Sequence, residues 1–379
     1  MWIEKINNNL DAKELLKQLG TDDGGVNILA SKMKHHLFYI KDLHVGAANI
    51  LKQDALSIGA DLAVPRGTVI AKEAKVDAIL IATQRQLVEL SKKELAQPFG
   101  LKELAHRLKE FSKIKMPQNI EVMGILNANE DSFFEGSRFK DKDALKRIEK
   151  MIEEGASIID IGGVSSRPGS DAVSPQEELS RIKPIVDALY TEKLYEKAVF
   201  SIDSYEPEVV SYVLERGFKI VNDITGLADD EVCRLSAEYN ATAVIMHMQG
   251  SPKDMQKDPS YDNVILDVEK FFEERIAKAL EFGVKDIVLD VGIGFGKNLT
   301  HNVELIKNLE HFLVLGYPLL VGASRKSMIN QITPASIQER LAGTLALHLE
   351  AVDNGASIIR AHDVFEHKQA LQVRKALRS

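Results

Sequence analysis

The chain has 379 residues, a formal net charge of −8 and a sequence pI of about 5.8. Its length exceeds that of one average domain, and its acidic balance argues against a nucleic acid or a membrane surface as a partner. The single cysteine, Cys233, excludes an internal disulfide framework, and no stretch approaches the roughly 20 apolar residues of a membrane span, so we expect a cytoplasmic protein.

Residues 1–115 predict a small α/β module of their own. Its predicted elements are two strands and two helices, at 37–40, 78–81, 45–58 and 84–111. The module carries no metal-ligand spacing, phosphate loop or nucleophile motif, so the sequence assigns it no role. Pro117 lies in the segment that separates it from the second predicted domain, residues 116–379.

From residue 121 onward, buried strands alternate with amphipathic helices. We place the strands at 122–127, 157–163, 199–203, 220–223, 243–247, 287–290, 319–324 and 357–362. Strict alternation implies parallel pairing with right-handed crossovers, and eight such units in about 260 residues favour a closed barrel over an open doubly wound sheet. The predicted fold is therefore α/β, a (β/α)8 TIM barrel preceded by a small N-terminal α/β module.

Every predicted barrel strand ends in a polar residue, where an apolar run gives way to a loop. These residues are Asn127, Asp160, Asp203, Asn222 with Asp223, His247, Asp290, Ser324, and Arg360 with His362. One such residue is often only a turn or cap residue. Because the carboxyl ends of barrel strands share one rim, eight of them together predict a common pocket.

The loop after the sixth barrel strand gives the clearest ligand signal. The strand ends at Asp290 and is followed by a glycine-rich segment, 291–297. A phosphate-binding P-loop requires a glycine and a hydroxyl where this chain has Val291 and Asn298. A dinucleotide fingerprint requires a helix that opens within the glycines, whereas the next helical pattern begins after them. We therefore expect Asp290 to face a ligand and Phe295 to stack on a flat one.

The charged residues of the predicted rim fall into two groups. The cations are Arg167 after the second strand and Arg325, Lys326, Arg360 and His362 in the last two loops. The acceptors are Asp203, Asn222 and Asp290. Barrels often hold phosphate at their last two loops, so we expect an anion there and a planar heterocycle with N–H donors opposite. Phe133 and Phe134 lie in the polar loop 127–139. They are typical either of a lid that closes over the ligand or of a loop in which one phenylalanine packs on the barrel rim.

Taken together, these motifs resemble the dihydropteroate synthase family over residues 119–379, which is essentially the whole barrel. The matching stretches are Met123-Gly124-Ile125-Leu126-Asn127 with Asp131-Ser132-Phe133, Ile159-Asp160-Ile161-Gly162-Gly163 with Ser165-Ser166-Arg167-Pro168-Gly169, Ile202-Asp203-Ser204, Asn222-Asp223, Met246-His247, Gly292-Ile293-Gly294-Phe295-Gly296-Lys297, Ser324-Arg325-Lys326-Ser327 and Arg360-Ala361-His362-Asp363. No single stretch is specific, but their order and spacing are.

The resemblance implies a transferase of folate biosynthesis that joins 4-aminobenzoate to 6-hydroxymethyl-7,8-dihydropterin diphosphate, giving 7,8-dihydropteroate and diphosphate. The implied catalytic residues are Asn127, Asp203, Lys326, Arg360 and His362. The implied pterin-binding residues are Asp203, Asn222, Met246, Asp290 and Lys326. Asn127 is the implied ligand of the Mg²⁺ cofactor, and Arg360 with His362 would clamp the diphosphate. The implied aminobenzoate pocket consists of Phe133, Ser166, Arg167, Pro168, Phe295 and Ser327. The resemblance also implies an enzyme of the class that sulfonamides target, and a homodimer formed through barrel helices.

The chain departs from the usual family pattern at several positions. Ala128, Asn129 and Glu130 replace the middle of the first loop and remove a proline that would stiffen it. The other departures are Val164, Ser166, Ser204 and Val291.

Two alternative functions stay open. A methyltetrahydrofolate:corrinoid methyltransferase shares the pterin-binding barrel but has no use for a diphosphate clamp, and an inactive pterin-binding protein is favoured only by the altered first loop.

Overall fold

A computed structural model of the protein describes residues 1–6, 10–128, 137–164, 173–251 and 253–378, with side chains from residue 143 in the third range. The chain divides into two compact units, Met1–Lys115 with Lys375–Ser379, and Met116–Arg374. In the described residues, no helix combines the length and the apolar character needed to cross a bilayer.

The first unit contains a three-stranded antiparallel sheet packed against helices. Its elements are α1 Ala12–Gln18, α2 Asp23–Met33, β1 His35–His44, α3 Val45–Ser57, β2 Asp61–Ala63, β3 Lys75–Thr83, α4 Gln84–Lys93 and α5 Leu101–Phe111. β3 lies between β1 and β2, and its alternate residues from Val76 to Ala82 are buried against α3, α4 and α5. The helical pattern over 84–111 is two helices, because Pro98 and the left-handed Gly100 interrupt it.

The second unit is a closed parallel barrel, which confirms the predicted fold class. Its described strands are β4 Glu121–Asn127, β5 Ile158–Gly162, β6 Val199–Asp203, β7 Ile220–Asp223, β8 Thr242–Met246, β9 Ile287–Asp290, β10 Leu319–Val321 and β11 Ile358–Ala361. Each strand is hydrogen-bonded to its neighbours in chain order, and β11 closes the barrel against β4. All eight overlap the predicted strands.

Helices follow the strands and cover the barrel. They are α6 Ser137–Glu153, α7 Pro175–Thr191, α8 Pro207–Leu214, α9 Asp230–Glu238, α10 Val264–Glu281, α11 Leu299–Lys307, α12 Ser327–Ile332, α13 Leu341–Asp353 and α14 Val364–Arg378. Their starts follow from the sequence. Ser174 caps α7 ahead of Pro175, and Asn263 and Asn298 accept backbone hydrogen bonds at the starts of α10 and α11.

The barrel interior changes from apolar to polar over two residues in several of its strands. Its apolar layer consists of Met123, Ile158, Ile220, Val244, Val288, Leu320 and Ile358. Side chains on one face of a strand recur every second residue, so the next inward positions stand one layer nearer the carboxyl ends. Those positions hold Ile125, Asp160, Asn222, Met246, Asp290, Gly322 and Arg360, four of which are polar or charged. The apolar layer therefore forms the floor of a polar pocket.

Candidate active site

Asp160 lies at the centre of the polar layer and connects several strands. Its Oδ2 atom accepts hydrogen bonds from Asn222 Nδ2 at 3.1 Å and from Arg360 Nε at 2.6 Å. The Arg360 guanidinium also donates from Nη2 to Asp203 Oδ2 at 2.7 Å. One arginine thus holds two buried carboxylates, and β5, β6, β7 and β11 share one charge-assisted network.

The same layer presents acceptor atoms that no donor among the described residues satisfies. They are Asp160 Oδ1 and Asn222 Oδ1, both buried. Asp290 Oδ1 accepts one hydrogen bond, from Gly292 N at 2.8 Å. A buried acceptor without a donor costs about 1–3 kcal/mol. This side of the pocket, here named the acceptor flank and comprising Asp160, Asp203, Asn222 and Asp290, is therefore suited to a ligand that brings N–H donors.

Burial controls the charge of two carboxyl groups on the acceptor flank. It raises the pKa of Asp203 to about 6, although the Arg360 guanidinium opposes the rise. Burial also raises the pKa of Asp290, against the effects of the Gly292 N–H and the Lys326 ammonium. Donors or cations from a ligand would stabilise the ionised form of either group.

The glycine-rich loop after β9 is held by a buried lysine. Lys297 Nζ donates to His247 Nδ1 at 2.8 Å, to Phe295 O at 2.9 Å and to His247 O at 3.2 Å. Burial and the neighbouring Lys297 lower the pKa of His247 to about 2, so its ring stays neutral and can accept. Gly292 has φ 67°, and a Cβ there would lie 1.9 Å from His247 O. Only glycine lets the chain pass at this distance.

An apolar wall stands beside Asp290. Met246 pairs with Asp290 in the β8–β9 register and packs with Ile224, Met255 and Phe295. Lys326 Nζ lies 4.2 Å from the centre of the Phe295 ring, within the range of a cation–π contact. A flat apolar face next to buried acceptors matches a planar heterocycle.

The loops after β10 and β11, together with Arg360 of β11, form a second side of the pocket, here named the cation flank and comprising Ser324, Arg325, Lys326, Arg360 and His362. Ser324 Oγ lies 2.9 Å from His362 Nδ1. Arg325 has φ 57°, an unusual backbone conformation for a residue other than glycine, and its guanidinium donates to the Asp363 carboxylate at 2.6 and 3.2 Å. The charged groups of this flank are thus held in place by protein partners.

Comparison with known proteins identifies the barrel. The family model described as "Pterin binding enzyme" matches residues 123–362. The chain belongs to this pterin-binding enzyme family. The match begins in β4 and ends at His362, so it contains both flanks of the pocket.

Relatives of the family divide into two kinds by the part of this chain that they match. A bifunctional dihydropteroate synthase/dihydropteroate reductase from Helicobacter pylori is 43% identical over 370 residues, which are 97% of this chain and 97% of that protein. The dihydropteroate synthase of Escherichia coli K12 is 44% identical over 258 residues, 67% of this chain and 90% of its own. A Yersinia pestis dihydropteroate synthase structure in complex with a sulfonamide drug has a TM-score of 0.63 at 39% identity, covering 69% of this chain and 94% of that one.

The structure brings together most of the residues that the sequence predicts for the site. Those in or at the edge of the pocket are Asp203, Asn222, Met246, Asp290, Phe295, Lys326, Arg360 and His362. Asn127 ends β4 half-buried, and Ser327 is the exposed first residue of α12. Phe133, Ser166, Arg167 and Pro168, with most of the predicted lid loop, lie outside the described residues.

Other residues at strand ends have structural roles that the sequence does not specify. Asp160 organises the acceptor flank, as its place two residues after inward-facing Ile158 could have indicated. Asp223 does not face a ligand, because it caps the following turn through Thr225 N at 2.6 Å and Leu227 N at 3.0 Å. His247 serves as an acceptor for Lys297.

Proposed function

We propose that the chain condenses 6-hydroxymethyl-7,8-dihydropterin diphosphate with 4-aminobenzoate to give 7,8-dihydropteroate and diphosphate. Membership of the pterin-binding family and long alignments with named dihydropteroate synthases support this function. The observation that carries it is a pair of buried acceptors, Asp160 Oδ1 and Asn222 Oδ1, that meet no donor in the described parts of the chain. They lie beside a flat apolar wall and near a rim rich in cations and hydroxyls.

The acceptor flank would bind the pterin edge. A dihydropterin presents adjacent N–H donors, which match the open oxygens of Asn222 and Asp160 and the carboxylates of Asp290 and Asp203. Hydrogen bonds to Asp160 Oδ1 and Asn222 Oδ1 would satisfy buried acceptors that no donor among the described residues reaches. Met246 and Phe295 would pack on the faces of the pterin ring, and the Lys326 ammonium would contact the ring.

The cation flank would stabilise the leaving diphosphate. The bond between the pterin methylene carbon and the bridging oxygen breaks, and its electron pair leaves with the diphosphate. Arg360, His362 and Ser324 can donate to its oxygens as charge develops. The Arg360 contacts with Asp160 and Asp203 use Nε and Nη2, which leaves Nη1 for a substrate oxygen.

The donor set fits a magnesium ion held mainly by substrate. Among the described residues no three His, Cys, Asp or Glu side chains are grouped to hold a metal, whereas the Asn127 amide oxygen is available at the end of β4. Mg²⁺ commonly keeps waters and takes one or two protein oxygens plus substrate phosphates. When bound, it would neutralise charge on the diphosphate. Asn127 is the ligand that we propose.

The second substrate needs little activation by the protein. An aniline nitrogen is neutral at pH 7, so its lone pair can form the new C–N bond and its proton can leave afterwards. The acceptor flank would meanwhile stabilise positive charge on the pterin methylene. Phe133, Ser166, Arg167, Pro168 and Ser327 remain the predicted aminobenzoate contacts, with Phe295 between the two substrates.

One assay tests the reaction directly. The protein is incubated with the dihydropterin diphosphate, 4-aminobenzoate and Mg²⁺, and released diphosphate and dihydropteroate are measured together. Equal amounts of both products are expected, and omission of 4-aminobenzoate should stop dihydropteroate formation. A sulfonamide should compete with 4-aminobenzoate. A corrinoid methyltransferase would instead change the absorbance of added cobalamin in the presence of methyltetrahydrofolate, and an inactive binding protein would do neither.

We also propose that the chain reduces 7,8-dihydropteroate. The supporting observation is coverage: the Helicobacter pylori bifunctional relative matches 97% of this chain, including residues before 116, whereas the Escherichia coli synthase matches 67%. The reduction adds a hydride and a proton across a C=N bond, so it requires a reduced nicotinamide or flavin as co-reactant. Anaerobic incubation of the full chain with dihydropteroate and each reductant should yield tetrahydropteroate. Consumption of no reductant would reject this second activity.

We infer, further, a homodimer formed through barrel helices. Helix α14 exposes Phe365 and Val373, apolar side chains that a second copy could cover. Light scattering during size-exclusion chromatography should give about twice the chain mass of 42.1 kDa, and a mass of one chain would reject the dimer.

A further inference from the structure

Two histidines outside the pocket are buried together behind the cation flank. His348 lies on α13 and His367 on α14, and each is only 2% exposed. His348 Nδ1 is 2.8 Å from His367 Nε2. At one end of the pair His348 Nε2 accepts from Ala323 N at 3.0 Å, and at the other His367 Nδ1 is 2.6 Å from Asp363 O.

These contacts define the proton positions on both rings. The Ala323 N–H can only donate, so His348 Nε2 is unprotonated and the proton of the neutral ring is on Nδ1. His348 Nδ1–H then donates to His367 Nε2, which places the proton of His367 on Nδ1, where it donates to the Asp363 carbonyl. All four ring nitrogens are satisfied when both rings are neutral. Burial lowers the pKa of both histidines, which keeps them in that state.

The hydrogen bonds through His348 and His367 connect the two loops of the cation flank. Ala323 belongs to the β10 loop, residues 322–326, and Asp363 belongs to the β11 loop, residues 362–363. The β10–β11 ladder pairs Leu320 with Ile358 and Val321 with Ile359, so the loops extend past its last pair. Their spacing therefore depends on side-chain contacts.

Helix α13 holds the β10 loop at a second point. Thr344 is one turn before His348 on the same buried face, and its Oγ1 accepts from Arg325 N at 2.9 Å. Arg325 has the left-handed φ of 57°, which its surroundings must maintain. Two backbone N–H groups of the loop, at Ala323 and Arg325, are thus fixed by one helix face.

We infer that the His348–His367 pair is a positioning element that sets the distance between the β10 and β11 loops for binding the substrate diphosphate. The inference rests on the proposed function, because it assigns the diphosphate to these loops. The His348 and His367 rings reach the two loops through the Ala323 N–H and the Asp363 carbonyl, so we expect their effect on substrate to pass through the adjacent residues Ser324 and His362.

The test compares two substitutions at one position. His348→Leu removes both hydrogen bonds at similar volume, whereas His348→Gln retains an acceptor for Ala323 N–H and a donor for His367. For His348→Leu we expect Kd for inorganic diphosphate and KM for the dihydropterin diphosphate to rise about tenfold. Kd for 6-hydroxymethyl-7,8-dihydropterin, which lacks the diphosphate, should stay within twofold. His348→Gln should restore diphosphate binding to within threefold.

A matched control removes a histidine elsewhere in the barrel. His311 contacts Glu269 at 3.3 Å, and His311→Leu should leave both affinities unchanged. Equal loss of affinity for the two pterins in His348→Leu would mean a general structural role and would overturn the inference. Unchanged diphosphate affinity would overturn it as well, while the wild-type protein failing to bind diphosphate would reject the proposed function itself.

A measurement on the wild-type protein covers the case in which His348→Leu does not fold. Side-chain ¹⁵N spectra should show two histidines protonated at Nδ1, the less common tautomer in water, with Nε2 unprotonated, and inorganic diphosphate should shift both. Detection of Nε2–H on either ring would contradict the hydrogen-bond chain and the positioning role with it.

Discussion

The two flanks of the pocket differ in how their polar groups are satisfied before substrate arrives. On the acceptor flank, Asp160 Oδ1 and Asn222 Oδ1 are buried and meet no donor within the described residues. On the cation flank, Arg325 is paired with Asp363, and Ser324 with His362. The acceptor flank therefore presents open acceptors that would gain from ligand donors, whereas these groups of the cation flank already have protein partners before diphosphate binds.

This difference predicts two kinds of mutational effect. Removing an open acceptor subtracts a ligand contact, so affinity should fall with little cost to the fold. Removing a paired cation leaves its buried partner uncompensated, so the fold and the chemistry should both suffer. Arg360 is the extreme case, because it belongs to the cation flank and yet compensates Asp160 and Asp203 of the acceptor flank.

The largest effect is expected for Arg360→Ala. Loss of the guanidinium leaves Asp160 and Asp203 in the barrel interior without the cation that hydrogen-bonds both of them, which should lower the free energy of unfolding by about 3–5 kcal/mol. Because a donor to the leaving group is also lost, kcat should fall by about 10²–10³-fold. Thermal unfolding and steady-state kinetics measure the two effects separately.

A surface ion pair provides the control for Arg360→Ala. Arg374 contacts Asp353 at 2.6 Å between partly exposed side chains. Arg374→Ala should change stability by less than about 1 kcal/mol and leave kcat unaltered. A variant of Arg360 with normal kcat would show that this arginine only supports the fold.

The next largest effect is expected for Asp290→Ala. It removes a buried acceptor of the pterin and the partner of Gly292 N, so pterin affinity should fall by about 100-fold while kcat at saturation changes less. Titration calorimetry with the dihydropterin measures the loss. Asp286→Ala, at the exposed residue just before β9, should bind normally. Unchanged pterin affinity in Asp290→Ala would contradict the assignment of the acceptor flank.

Much of this architecture could be predicted from sequence, because it depends on local patterns. Alternation of buried strands with helices is visible residue by residue, and the positions of Asn222, Asp290 and Arg360 follow from the end of each apolar run. A shared rim then follows from parallel topology alone.

The pairing between side chains could not be predicted in the same way. Asp160 and Arg360 are 200 residues apart, and nothing in either segment indicates that they meet. Thr344 and His348 look like ordinary positions on an amphipathic helix, and their contacts with the β10 loop depend on how α13 packs. Asp223 resembles a site residue in sequence, but only its turn geometry shows that it serves as a cap.

A smaller effect is expected for Lys326→Met, which tests the boundary between the flanks. Lys326 Nζ contacts the Phe295 ring and approaches the pterin position, so loss of its charge should weaken pterin binding by about tenfold. Stability should hold, because the lysine is only partly buried. Binding measured alongside Lys307→Met, a surface lysine on α11, isolates the local effect. A loss equal in both variants would indicate only a long-range charge effect.

The smallest effect on pterin affinity is expected behind the acceptor flank, at Glu178 of α7. This carboxyl is 3% exposed and hydrogen-bonds Ser204, the neighbour of Asp203. Burial raises its pKa from 4.5 to about 7, with Asp203 and Glu206 adding to the rise while Ser204 and Arg181 oppose it. Between these pH values the folded state holds a proton that the unfolded state has lost. Folding is therefore favoured below pH 4.5, and that contribution is lost as pH rises through 7.

Glu178→Gln should remove this pH dependence, since glutamine is neutral at every pH. The wild-type protein should gain about 2–3 kcal/mol relative to the variant between pH 8 and pH 5, seen as diverging midpoints in denaturant unfolding. Pterin affinity should change less than threefold, because Glu178 acts on the site only through Ser204. If the stabilities of the two proteins changed with pH in the same way, Glu178 would be ionised in the folded protein. The region behind Asp203 would then already carry a negative charge.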